Sequence, residues 1–136
     1  MELQDKKFTR NKVKTRGIKR FTNSVKNSLN GLVHAYMNEQ SLTLHAVITV
    51  GVLFSSFYFK ISKMQWAILV VVMAIIIIAE LLNTAIEAVV DLVTEEYHPL
   101  AKIAKDCASA AAFVASLLAA GLYLYVFLPK IIQLLS

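Results

Sequence analysis

The chain has one cysteine among its 136 residues, together with two prolines, four glycines and one tryptophan. A single thiol, Cys107, forms no internal disulfide and builds no multi-thiolate metal site, so it reads as a small residue buried at a helix interface. No internal repeat, low-complexity linker or second domain is present. The phosphate-cradling loop GxxxxGK[ST] is missing, as are the glycine-rich and catalytic-loop motifs of protein kinases, which removes the usual sequence signs of nucleotide chemistry. Acid is scarce as well: nine Asp and Glu stand against fourteen Lys and Arg, for a net charge of +5.

What is present is apolar surface. Hydrophobic residues make up 57% of the chain, where soluble domains hold about 45 to 50%, and the mean hydropathy is +0.61. Leu42 to Phe59, Met64 to Val90 and Ala108 to Leu128 approach the ~20 residues that cross a bilayer core. Only fourteen residues separate His45 from Lys60, so the first span must begin near Asn38 or Glu39. The expected fold is an all-α membrane protein with spans at about 39–59, 64–90 and 108–128. A soluble three-helix core is the competing reading, and segment length disfavours it.

Nine of the basic residues fall within residues 1–26. They precede a membrane segment, which fits anionic lipid headgroups better than nucleic acid, and nucleic acid is not expected as a partner. Residues 1–17 show no apolar periodicity and read as a basic flexible arm, with residues 18–136 forming a single membrane domain. No signal peptide is expected, since the basic stretch has no short apolar core or cleavage site. Ile18, Phe21, Val25, Leu29, Leu32 and Val33 recur at helical spacing, which predicts an amphipathic helix on the inner leaflet, with a bend at Gly31 before the first span. The positive-inside rule places the N-terminus and the Asp91 to Asp106 connection in the cytoplasm. Trp66 and Tyr58 then fit an outer aromatic belt, and Pro99 starts a new helix near Leu100.

The acids that do occur near the membrane are ordered. Glu80, Asn83, Glu87 and Asp91 are spaced three, four and four residues apart and share one helix face. Carboxylates so close to hydrocarbon are costly and mark a functional site. Magnesium prefers oxygen ligands and commonly takes one or two carboxylates, with phosphates and water completing its shell. Glu87 is one candidate, and Glu39, expected at the same depth, is the other. Glu80 lies deeper and is partly desolvated, which favours it as the proton acceptor for an alcohol whose tail lies in the bilayer. Asn83 can orient either neighbouring acid. Lys105, beside Asp106, can offset phosphate charge. Base, metal and cation are the parts of a phosphoryl transferase.

Duller readings stand beside these. An intramembrane Glu can serve an oligomer, Glu95 and Glu96 can be solvated loop acids, and Lys105 with Asp106 can be a weak surface pair. His34 and His45 read as surface or interfacial groups. A stripe of small residues from Ala104 to Ala120 favours a homo-oligomer, with close packing inside one subunit as the plainer account. A small ion channel or transporter also places acids in a membrane.

The segments ELLNTAIEAVVD (Glu80 to Asp91), EEYHPLAKIAKD (Glu95 to Asp106) and AYMNE (Ala35 to Glu39) resemble the prokaryotic diacylglycerol kinase and undecaprenol kinase family. The resemblance implies a homotrimer with an N-terminal surface helix and three transmembrane helices, phosphorylating a lipid hydroxyl with MgATP at sites shared between subunits. It gives Glu80 the role of general base, Glu39 and Glu87 the bridging of magnesium to ATP, and Asn83 and Asp91 polar positions in the site. Arg20, Glu96, Tyr97, His98, Lys105 and Asp106 match nucleotide-contacting positions. The HPLAKIAKD and FLPK segments are similar to the Gram-positive branch, which implies undecaprenol as acceptor with diacylglycerol as the alternative.

Overall fold

The computed structural model describes residues 17–136, so the arm expected over residues 1–17 lies almost entirely outside the described residues. Four helices follow in order: α1 (Ile18–Asn38), α2 (Gln40–Tyr58), α3 (Lys63–Val93) and α4 (Pro99–Leu135). The chain divides into two compact units between Val33 and His34. In the first, α1 leaves Ile18, Phe21, Val25, Leu29 and Val33 exposed.

The second unit holds three helices long and apolar enough to cross a membrane. The bend expected at Gly31 is absent: α1 runs through that residue and the helix breaks at Glu39. Asn38 explains why. Its side-chain amide donates to the His34 carbonyl at 2.7 Å, a local bond of the kind that competes with helix continuation. Glu39 then adopts an extended conformation and acts as the N-cap of α2.

The α2–α3 turn is built by sequence. Tyr58 ends α2 and Lys60 takes a left-handed φ of 48°, while the Ile61 amide donates to the Ser56 carbonyl and the Lys60 amide to Phe57. This pairing is the Schellman closure, in which glycine is the usual left-handed residue. Ser62 opens α3 with a capping box: its hydroxyl accepts from the Gln65 amide at 3.2 Å and its amide donates to Gln65 Oε1 at 3.0 Å. At the other end Pro99 occupies the first turn of α4, where its missing N–H costs no helical bond.

Packing between α3 and α4 rests on small residues. Ala108, Ala112, Ala115 and Ala119 are all buried, and Val72 and Ile76 of α3 pack on Ala115 and Ala119. Alanine at this spacing lets two membrane helices approach closely. The buried part of the small-residue stripe is thus used within the chain, which removes it as a sign of self-association. A second cluster near the α2–α3 turn joins Val52, Ile61, Leu69, Val126 and Phe127. Cys107 departs from its expected burial: it is exposed on this chain, beside Asn83 on an apolar groove of about 390 Å³. α3 and α4 have 31 and 37 residues, longer than a bilayer core requires, so both carry charged turns past its boundary.

Candidate active site

Glu80 is 7% exposed on the apolar body of α3. A carboxylate in such a place needs donors, because an unpaired buried charge is expensive. One comes from α2, where Ser41 Oγ donates to Oε2 at 2.8 Å; His45 Nε2, on the same helix, lies 3.3 Å from Oε1 as a charge contact. From α4, Ser116 Oγ lies 3.5 Å from the same His45 nitrogen. His45 is therefore half-buried and paired, where the sequence suggested a surface or interfacial group. A signal for it exists in the pattern of α2. Ser41, His45 and Thr49 recur every four residues in an otherwise apolar helix, and polar side chains in a span face the protein interior.

One turn along α3, the Asn83 side-chain nitrogen donates to Glu87 Oε1 at 2.9 Å. Its oxygen is buried with no hydrogen-bond partner, a costly state for an amide acceptor. Glu39 sits at the N-terminal end of α2, half-buried, with no side-chain capping bond. The Ser41–Glu80 contact fixes the register of α2 against α3. At about 1.5 Å per residue, Glu87 lies roughly 10 Å and Glu39 a few Å beyond that contact. Glu39 and Glu87 stand two and seven residues from that contact, so the two carboxylates expected at one depth are offset along the helices by about five residues, roughly 7 to 8 Å.

The donor chemistry here is hard oxygen: two carboxylates and the orphaned Asn83 amide oxygen. Among the described residues no three or more His, Cys, Asp or Glu side chains gather as a metal cluster. A set with few protein ligands fits magnesium, which leaves most of its positions to phosphate and water, better than it fits a metal caged by protein.

The remaining candidates meet at the α3–α4 turn. Asp91, Glu96, Tyr97, His98, Lys105 and Asp106 all line one cavity of about 270 Å³. Asp91 accepts from Lys105 at 2.5 Å, and Asp106 pairs with Lys102 one turn back on α4. The neighbouring Lys105 and Asp106 therefore hold different partners and not each other, because consecutive residues on a helix point about 100° apart. Thr94 shapes the turn by donating to the Glu96 carbonyl and accepting from its amide, both at 3.2 Å. His98 caps α4 by accepting from the Leu100 amide at 3.2 Å. Tyr97 is 79% exposed. Arg20 belongs to the first unit, within α1.

Three helices long and apolar enough to cross a membrane thus carry a buried carboxylate on α3 and, about three turns along the same helix, a charged cavity at the α3–α4 turn. Residues 26–127 match the family model described as prokaryotic diacylglycerol kinase. Among similar proteins, an undecaprenol kinase of Bacillus subtilis is 36% identical over 114 residues, covering 84% of this chain and 93% of that protein. A diacylglycerol kinase of Pseudomonas aeruginosa is 40% identical over 99 residues, covering 73% of this chain and 80% of that protein. One from Escherichia coli K12 is 32% identical over 105 residues, or 77% and 86%. The chain belongs to the prokaryotic diacylglycerol kinase family and is a multi-pass membrane lipid kinase.

Proposed function

We propose that this enzyme transfers the γ-phosphoryl group of ATP to the hydroxyl of undecaprenol at the cytoplasmic face of the bacterial inner membrane. The observation that carries the reading is the pairing of depths on α3: Glu80 is buried among apolar residues, and Asp91, three turns further along, opens into a charged cavity. A lipid alcohol and a water-soluble nucleotide can approach one helix face from opposite directions. Glu80 accepts the proton as the alcohol attacks in line, and the rest of the work is positioning and charge compensation.

The cavity contains Asp91, Glu95, Glu96 and Asp106 against Lys102 and Lys105. Free polyphosphate is repelled by that balance, so a divalent cation must travel with it. Glu39 and Glu87 would hold magnesium, with the Asn83 amide oxygen as a third oxygen donor. When bound, the ion would supply charge neutralisation for the phosphates. Lys105 exchanges Asp91 for a phosphate oxygen, Asn83 holds Glu87, and Tyr97 and His98 border the nucleotide.

The orientation rests on the basic residues crowded into residues 1–26, which favour a cytoplasmic N-terminus. Broad exposed apolar surface on α2, α3 and α4 is covered by lipid and by two further copies in a homotrimer with shared sites, α1 lying along the inner leaflet. Undecaprenol is favoured because similarity to the Bacillus undecaprenol kinase extends over 93% of that protein. Diacylglycerol is the second reading, favoured by the 40% identity to the Pseudomonas enzyme. Transfer of labelled γ-phosphate from MgATP to each lipid in mixed micelles distinguishes them. Faster transfer to undecaprenol is expected; preference for diacylglycerol reverses the assignment, and transfer to neither by folded protein removes both.

A further inference from the structure

Glu80 is held by groups from outside its own helix. Ser41 and His45 stand one turn apart on α2, so both face α3 together, and they address different oxygens of the same carboxylate. His45 Nε2 stands 3.3 Å from Oε1 as a charge contact, and the Ser41 hydroxyl makes the directed hydrogen bond to Oε2 at 2.8 Å. Ser116, at 3.5 Å, lies at the outer limit of hydrogen bonding and closes the pocket from α4. Among the described residues the side chains that meet the Glu80 carboxylate are His45 and Ser41, with Ser116 in contact with His45.

A carboxylate offers about four acceptor positions. With the Ser41 hydroxyl on one oxygen and the His45 ring against the other, Glu80 keeps free lone pairs while losing the freedom to swing about its last torsion. Productive geometry for a proton acceptor demands placement within about 0.5 Å, and a glutamate on a membrane helix has three rotatable torsions with which to miss it.

We propose that His45 is a positioning residue for Glu80: its imidazole against Oε1 and the Ser41 hydroxyl on Oε2 fix the carboxylate so that a free lone pair meets the lipid hydroxyl. This rests on the reading of Glu80 as proton acceptor. In the step itself the acceptor O–H bond breaks and its proton moves to Glu80. The alcohol oxygen bonds to the γ-phosphorus, and the bond to the β-phosphate oxygen breaks to release ADP. His45 gains and loses no proton.

The test uses the full chain in mixed micelles, with kcat and KM for ATP measured separately. His45→Leu removes the imidazole and is expected to lower kcat by about 100-fold, the scale of a 1 Å misplacement, with KM for ATP changed less than about twofold. His45→Gln puts an amide donor near the position of Nε2 and should restore kcat to within about tenfold of the parent. A merely structural role moves thermal stability with both substitutions and leaves kcat of the folded fraction unchanged, and that result overturns the proposal. Equal loss in Leu and Gln variants also overturns it. Where His45→Leu does not fold, Ser41→Ala carries the test: a kcat about tenfold lower, the scale of one lost hydrogen bond, is expected, and an unchanged kcat refutes it. Glu80→Gln separates the two layers. Parental turnover in that variant removes the base reading itself, whereas an inactive Glu80→Gln beside a fully active His45→Leu removes only the role of His45.

Discussion

Glu80 and Asp91 are carboxylates on the same face of one helix, about three turns apart, and their surroundings differ in nearly every respect. Glu80 is buried, accepts from the Ser41 hydroxyl and lies against the His45 ring, both from α2. Asp91 is exposed and held by one lysine from α4. The first arrangement fixes an orientation, and the second is an exchangeable ion pair in water, worth at most about 1 kcal/mol. One acidic stripe therefore divides into a deep end suited to handling a proton and a shallow end suited to handling charge. Glu87, held by Asn83, stands between them.

That division orders the expected effects. Glu80→Gln keeps the size and the hydrogen bonds but not the basicity, and should lower phosphoryl transfer by about 100- to 10,000-fold, the range of general-base contributions. MgATP binding, read by calorimetry or a fluorescent analogue, should survive; parallel loss of binding would merge the two ends into one nucleotide site. Glu87→Gln is expected to cost about 10- to 100-fold, in line with disturbed metal sites, and to raise the magnesium concentration needed for half-maximal rate. A magnesium dependence identical to the parent's would take Glu87 out of the ligand set.

At the shallow end, Lys105→Met should raise KM for ATP by about tenfold, the scale of one charge-assisted bond, with no measurable loss of thermal stability because the pair with Asp91 is exposed. A drop in kcat with KM unchanged would move Lys105 to the deep end. The smallest effect belongs to the opposite membrane boundary. Lys60→Gly relieves a left-handed residue and should stabilise the protein by about 1 kcal/mol in denaturant unfolding, with kcat unaltered. A loss of stability there would mean that the Lys60 side chain contributes more than the backbone strain costs.

Much of this architecture is legible in the order of the residues. The three apolar helices follow from run length, the start of α4 from Pro99, and the common face of Glu80, Asn83, Glu87 and Asp91 from helical spacing. The capping box at Ser62 and Gln65 is a local pattern as well. His45 is legible only as a member of the Ser41, His45 and Thr49 repeat, which gives no sign of which helix or which acid it faces. The break at Glu39 falls where run length puts the start of the first span, and Asn38, donating to the His34 carbonyl, is the local reason for it. The Lys105 and Asp106 pairings also go to partners fourteen and four residues away.

The sequence by itself determined the number of membrane helices, their approximate ends and which polar side chains share a face. These depend on hydropathy, on the 3.6-residue period and on local capping, all of which act over a few residues. Only the tertiary structure decided that Glu80 is met by Ser41 and His45, that α4 spends its alanines on α3, and that Asp91 takes Lys105. Those contacts depend on the rotation and register of one helix against another. In an apolar solvent, where hydrophobicity does not drive helix association, that register is set by close packing and interhelical hydrogen bonds between residues far apart in the chain.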